Sequence, residues 1–533
     1  MLPPPLLTVL NWVLLLALSL PVAAGQGKRK GNGKGKGSNS HGPEKDICTL
    51  LTHHLPPSQV HLPSSPSYPS LTTYWSTRQS SHPSCFVLPH TTGQVSTLLR
   101  LLTHHNTPFT VKAGGHTPFS NGSSISSPGS VVIDVSQLNN NIIVSSDRQT
   151  VTLGPGLRWA NVSEVLDPLG LAVVGGRTAS VGVAGLVLGG GISYFSGRRG
   201  WACDNVKAYE VVLANGRVVR ATAHENKDLY WALRGGGGSN FGIVTRFELA
   251  AYEQGPMWAS RQLFPGATNH TLIPLMHDLL VDKLPADPDA HTWFVMLYVP
   301  EFGGHVVISD QFHATHANLS TPPAAFAAFH DTAAAPEAIL TDTRLASVGR
   351  LLIDADSPAG SRQTWWTTSI KATTTTDTPA LLMEIERIYS SWHAPRLFDA
   401  AANGSAVLVP GLIFQAISTN VLQAMQVNGG NALGLKPEDG PLMIVQLTVQ
   451  WTDPALDDVV EATCGDTIRR IDALAASRGA RSKNGFIYMN YAGKGQDVLA
   501  GYGKSNRERL RKIAKKYDPE GKLNKLWKGY FKA

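Results

Sequence analysis

Residues 112–124, KAGGHTPFSNGSS, set one histidine directly behind two glycines, after an extended run and before a small polar loop. Glycine lets backbone approach a ligand closely and histidine is a competent nucleophile, so His116 is the first residue here that can do chemistry. Glycines cluster at 114–115, again at 189–191 and at 235–238. Adjacent N–H groups without side chains can converge on an anion, and several such clusters point to a long polyanionic cofactor. The alternative for any one cluster is a plain tight turn. The doubly wound dinucleotide fingerprint does not fit, because GPGLRW at 154–159 supplies only two of its glycines. None of the other histidines is assigned a catalytic role. The run THH at 103–105 lacks a carboxylate or cysteine partner at ligand spacing, so no metal site is expected.

The surrounding runs predict the elements that must hold these residues. PFTVKAG, SVVIDVS, NIIVSS and TVTLGPG read as strands, and RWANVSEVLDPLG as a helix stopped at Pro168 and Gly170. VKAYEVVLANGRVVRAT is a hairpin signal, with β-branched runs flanking Asn215 and Gly216, and GIVTRFEL is a further strand. From about 255 to 480 the character changes to aromatic strands, HTWFVMLYV and LMIVQLTVQW, and Ala-rich helical stretches such as PPAAFAAFHDTAAAPEAIL. NRERLRKIAKKYDPEGKLNKLW reads as a basic helix with a solvated face, ending near Asp518 and Pro519. The pattern is α+β, and 533 residues exceed what one core organises, so two packed lobes are expected.

Residues 1–24 contain an apolar run closing on small residues, with Val22 and Ala24 suited to cleavage, and read as a secretory signal; an anchor over 6–24 is the alternative. Residues 25–46 alternate Gly and Lys, bury almost nothing, and read as a disordered linker. The net charge of +7 belongs to the two ends: 25–46 carry +4, 503–533 carry +8 and the stretch between carries −5. Basic residues are not interleaved with aromatics on a folded face, so no nucleic-acid partner is expected, and no stable membrane span after cleavage. In a secreted chain Cys48 and Cys85, bracketing a short segment, are the expected disulfide. Sequons at Asn121, Asn161, Asn269, Asn318 and Asn403 agree with a secretory route.

In order, KAGGHTPFSNGSS, GPGLRW, VVGGRTASVGVAGLVLGGGIS, RRGWACDNV, YEVVLANGRVV, NKDLYWALRGGGGSNFGIVTRFEL, YMNYA and YDPEG resemble the FAD-linked oxidases of the vanillyl-alcohol oxidase and p-cresol methylhydroxylase (PCMH) superfamily. The likeness is to the berberine-bridge-enzyme-like branch, covers about residues 48–533, and is nearest in wording to secreted fungal members. It implies a PCMH-type FAD-binding domain of two subdomains at 47–254 and an α+β substrate-binding domain with an antiparallel sheet at 255–480. Residues 481–533 would return to the FAD domain. It implies that His116 attacks the 8α-methyl carbon of FAD while Ala113, Gly114, Gly115 and Thr117 help hold the pyrophosphate. Further cofactor contacts are implied at Val181, Gly182, Gly185, Gly189, Gly190, Gly191, Ile243 and Val244. Relatives often add a second bond from a cysteine that aligns with Thr178, which cannot form a thioether, so one covalent link is expected. The alternative keeps His116 as a hydrogen-bonding residue beside noncovalent flavin.

Hydride loss from a substrate C–H is easier once the neighbouring O–H or N–H is deprotonated, so a base is needed near the flavin. By resemblance YMNYA makes Tyr488 the candidate base with Asn490 and Tyr491 as contacts, and VQLTVQW makes Gln446 an active-site residue. Relatives with a lowered-pKa tyrosine base often carry a second tyrosine where this chain has Arg199; that cation can favour a phenolate, bind an anionic substrate or face solvent. Trp365, Trp366, Phe414 and Gln415 are candidates for the pocket or the core. The expected function is a secreted FAD-dependent oxidase taking hydride from an alcohol, sugar or specialised metabolite and passing electrons to O₂. A dehydrogenase or oxidative cyclase on the same site, and a noncatalytic ligand-binding glycoprotein, are the alternatives.

Overall fold

The computed structural model describes residues 47–299, 304–372, 377–401 and 407–533; the expected signal, the linker and the sequon at Asn403 lie outside them. The first sheet is built from β1 (Val60–His61), β2 (Cys85–Val87), β3 (Phe109–Lys112) and β4 (Val131–Asp134), in the order β1-β2-β4-β3. Strand β4 runs parallel to both neighbours and is buried at all four positions, which is why VVID reads as a continuous apolar run rather than an alternating one. The helix Thr92–His104 starts on a capping box between Thr91 and Gln94, and buries Val95, Leu98, Leu99 and Leu102 at helical spacing. The Cys48–Cys85 disulfide ties the helix Ile47–His54 to β2, with Cα atoms 6.0 Å apart. Cys203 and Cys464 are free and buried.

The second sheet comprises β5 (Ile143–Val144), β6 (Thr150–Leu153), β7 (Leu171–Val173), β8 (Val206–Val212), β9 (Val218–Thr222) and β10 (Ile243–Glu253). Its order is β5-β6-β10-β8-β9 with β7 also on β10, and every pairing is antiparallel. The β8–β9 hairpin turns where expected, with Gly216 taking the positive φ of +81°.

The third sheet holds β11 (Met257–Pro265), β12 (Ala290–Val299), β13 (Gly304–His313), β14 (Leu340–Ala346), β15 (Arg362–Lys371), β16 (Leu408–Ile417) and β17 (Leu442–Trp451). All its pairings are antiparallel, in the order β14-β11-β13-β12-β16-β17-β15. Strand alternation splits it into two faces. Phe294, Met296, Leu412, Phe414, Val445 and Leu447 turn to a core under the helices Asn269–Asp278, Thr378–Ile388 and Asp457–Ser477. The other face borders the main cavity. The Ala-rich stretch 322–340 departs from its helical reading: only Ala324–Phe326 and Ala327–His330 are helical, and 331–339 run as turns into β14, since small side chains offer no apolar stripe to bury. The basic helix forms at Lys504–Tyr517. Beyond it the chain returns to the first sheet, where Trp527 bridges to Phe109 and the Lys528 N–H donates to the Phe109 carbonyl at 2.7 Å. No helix among the described residues is long and apolar enough to cross a membrane.

Candidate active site

A cavity of about 480 Å³ lies where the first two sheets meet the open face of the third. Its walls include every residue proposed above for cofactor or chemistry except Gly189, Gly190, Gly191 and Arg199. A methyl on Gly189 would come within 2.0 Å of Asn490 Oδ1, on Gly190 within 2.7 Å of Trp201, and on Gly191 within 2.6 Å of both Ala202 and Leu186. These three glycines make room for protein side chains rather than for a ligand. Arg199 is corrected too: its guanidinium lies over the Tyr252 ring, 3.7 Å from the centroid, away from the cavity.

The loop after β3 forms the part of the wall suited to an anion. Gly115 sits at φ +66°, and the N–H groups of Gly114, Gly115, His116 and Thr117 find no acceptor among the described residues. Gly114 faces Gly182 so closely that a Cβ on either would lie 2.5 Å from the other's backbone nitrogen. The two loops therefore meet backbone to backbone, which only paired glycines allow. Unpaired amides on a convergent loop fit a diphosphate, and the apolar walls beside them, including Val181, Ile243 and Val244, fit flat rings. The residues present thus fit FAD.

His116 is stacked on Trp75, with ring centroids 4.0 Å apart and planes at 14°. Its Nε2 lies 3.0 Å from Ser180 Oγ, and that hydroxyl donates to Asp356 Oδ1 at 2.6 Å. A hydroxyl whose proton is committed to a carboxylate receives its second bond from an N–H, which puts the imidazole proton on Nε2 and leaves Nδ1 with a bare lone pair. Burial first, and the Arg158 guanidinium second, press the His116 pKa down to about 3, so the ring is neutral and nucleophilic. Thr178 lines the same wall two residues before Ser180.

The Tyr488 hydroxyl oxygen is surrounded by donors: the N–H of Gly191 at 3.1 Å, that of Ile192 at 3.2 Å and Asn490 Nδ2 at 2.9 Å. No described residue accepts its proton. Asn490 cannot be turned over, because its Oδ1 accepts from the Tyr530 hydroxyl at 3.1 Å while Nδ2 also donates to the Leu186 carbonyl at 3.0 Å. Burial raises the Tyr488 phenol above its ordinary value, Tyr491 adds to that, and the three donors act against it. The lowered-pKa tyrosine with a nearby Arg199 is therefore not what this protein contains. Gln446 on β17 faces the cavity, as do Trp365 and Gln415, while Trp366 and Phe414 fall on the opposite strand phase.

Sequence reading missed three polar residues. Arg177 donates to His291 Nε2 at 2.9 Å, to Gln415 Oε1, and to the Tyr491 hydroxyl at 2.5 Å. Its signal was being the single charged residue in VVGGRTASVGV. Ser180 had the weaker signal of lying inside a glycine-rich motif. Asp356, 176 residues beyond Ser180, had none.

Residues 83–222 match the model of the FAD binding domain family. An FAD-dependent monooxygenase of Cochliobolus heterostrophus is 33% identical over 506 residues, covering 91% of this chain and 93% of that protein. The crystal structure of 6-hydroxy-D-nicotine oxidase from Arthrobacter nicotinovorans superposes with a TM-score of 0.70 at 22% identity, covering 88% of this chain and 97% of that one. A variant of the BBE-like 1 protein of Physcomitrella patens gives a TM-score of 0.68 at 20% identity, with coverages of 90% and 97%.

Proposed function

The chain belongs to the FAD-dependent oxidoreductases represented by the fungal FAD-dependent monooxygenases, and on that premise we propose that it is a secreted oxidase of the berberine-bridge-enzyme-like type that removes hydride from an alcohol, sugar or specialised metabolite and forms hydrogen peroxide from O₂. The observation that carries this reading is the meeting, in one cavity, of the unpaired amides of 114–117 with a phenol oxygen that receives three donors. Bound there, FAD supplies the acceptor for the substrate's hydride. Tyr488 stands where a base is needed for the substrate hydroxyl proton; only its phenolate form can take that proton, which the Gly191, Ile192 and Asn490 donors favour and burial opposes. The open face of the third sheet, with Gln446 and Trp365, holds the substrate against the cofactor. The Cys48–Cys85 disulfide supports passage through an oxidising compartment.

His116 is the single covalent tether in this reading. If FAD is bound there, Nδ1 of His116 would form the bond to its 8α carbon, with the 8α hydrogen and the Nε2 hydrogen leaving as protons and the two electrons passing to O₂ to give H₂O₂. The likeness to FAD-dependent monooxygenases favours a second reading, in which one oxygen atom enters the product. One experiment tests both. Purified protein is acid-precipitated and the pellet examined for yellow colour, then candidate alcohols and sugars are turned over under ¹⁸O₂. A product lighter by two hydrogens, with labelled peroxide in equal amount, supports the oxidase; ¹⁸O in the product supports oxygen transfer; protein without flavin refutes both.

A further inference from the structure

Arg177 is a cation on the cavity wall that has no counter-ion among the described residues. Its guanidinium lies 4.6 Å from the centroid of the Trp293 ring, and its bonds run to His291, Gln415 and Tyr491. All three acceptors are neutral. Gln415 is held in place by its own Nε2 bond to the Thr292 carbonyl at 2.9 Å, and His291 is kept uncharged by burial and then by Arg177 itself. Among the described residues no carboxylate pairs with Arg177, and no Asp, Glu or Lys lines the cavity. Two other arginines are paired: Arg261 is bidentate to Asp310 and Arg198 to Asp289. A half-buried charge is costly unless an anion meets it, and here three neutral acceptors use only three of its five N–H donors. The Tyr491 hydroxyl, accepting from Arg177, has its own proton unclaimed by any described residue. The same cavity is also lined by the aromatic and aliphatic side chains of Trp293, Trp365, Val295, Leu297 and Ile413, with Gln446 beside Ile413.

We infer that Arg177 and Tyr491 form an anion subsite that takes the acidic oxygen of a planar aromatic substrate, as a carboxylate, phenolate or enolate, held between the tryptophan-lined walls. This rests on the oxidoreductase reading above and adds the substrate class to it. Reduced FAD can offer an anion of the same kind, so the test must separate the two sources.

The test uses the flavin-loaded enzyme with 2-naphthoate and its neutral isostere 2-naphthamide, both transparent where flavin absorbs. Binding is read from the shift of the visible flavin band in wild type, Arg177→Gln and Arg177→Lys. Wild type should bind naphthoate at least about tenfold tighter than the amide, the size of one charge-assisted hydrogen bond. Arg177→Gln should erase that preference, and Arg177→Lys, which keeps the charge without the fork, should retain part of it. Equal affinities in wild type, or a preference undiminished in both variants, overturns the inference. So does a preference undiminished in Arg177→Gln with a lowered flavin midpoint potential, which assigns the cation to the cofactor. A yellow protein without the preference sinks the subsite alone, whereas a colourless protein sinks the flavin reading first.

Discussion

Replacing Asp356 with Asn should slow covalent attachment of FAD to His116 far more than it weakens FAD binding. Bond formation at Nδ1 leaves the imidazole positively charged until its Nε2 proton departs, and that proton points at Ser180, whose hydroxyl is bonded to Asp356. The two bonds, 3.0 and 2.6 Å, put the carboxylate within about 5.6 Å of Nε2. At an effective dielectric near 20, a charge pair at that separation is worth about 3 kcal/mol, on the order of a hundredfold in rate if it is fully felt in the transition state. The assay starts from apoprotein made under riboflavin limitation. FAD is added, samples are acid-precipitated over time, and pellet flavin is measured, while fluorescence quenching reports noncovalent binding. Asp356→Asn should bind FAD like wild type and attach it roughly a hundredfold more slowly. Ser180→Ala should behave alike, and Ser180→Thr, which restores a hydroxyl, should recover most of the rate. Attachment at the wild-type rate in both Asp356→Asn and Ser180→Ala refutes the relay; a wild type that never retains flavin in the pellet refutes the tether itself.

Tyr488→Phe should keep its flavin but lose about 10²–10⁴-fold in turnover, measured as single-turnover flavin bleaching, because a positioned base contributes that much; an undiminished rate removes Tyr488 from the chemistry. Gly182→Ala forces a methyl against the Gly114 backbone at 2.5 Å, and should cost about 1–3 kcal/mol in urea unfolding together with flavin occupancy. Unchanged stability and colour would show that the two loops part freely. Acid should destabilise the protein: His116 and His393 are held down to about 3 and His291 well below its ordinary value, each by burial first. A folded pKa below the unfolded 6.5 means that the unfolded chain takes up the protons first, so this contribution is whole above pH 6.5 and is lost as pH falls toward 3. Asp204, raised by burial to about 6, acts oppositely, contributing fully below 3.8 and losing its contribution as pH rises through 6. Three groups outweigh one, and Tm should fall steadily from pH 6.5 to 4.5; a flat profile contradicts the assignment of neutral buried histidines.

What the sequence made legible is what local spacing controls. The helix at Trp159–Leu166 with its stop at Gly170, the hairpin at Gly216, the strands β12 and β17 and the Cys48–Cys85 pair all follow from residues near one another in the chain or from a short bracket. Glycine density was informative only by half. It marks positions where a Cβ is excluded, but not what excludes it: at Gly114 and Gly182 another backbone does, beside unpaired amides, whereas at Gly189 the excluding atom is Asn490 Oδ1, some 300 positions away. Trp365 and Trp366 could not be divided between pocket and core from the sequence, because which of two strand neighbours faces the cavity depends on which side of the third sheet the helices cover.

The polar residues that complete the site share one property with Asn490, which is that their partners come from other elements. Ser180 lies in the turn before the helix Val183–Leu188 and Asp356 just beyond the helix Val348–Asp354, while Arg177 gathers side chains from β12, β16 and the loop at 491. Neither group can be assembled by the FAD-side sheets alone. If His116 is the tether, its nucleophilic tautomer is set only when the substrate-side module has docked and brought Asp356 to Ser180. Attachment of the flavin would then report that the whole cavity has formed, and a substitution that loosens the contact between the modules should delay attachment without touching any residue that lines the amide loop.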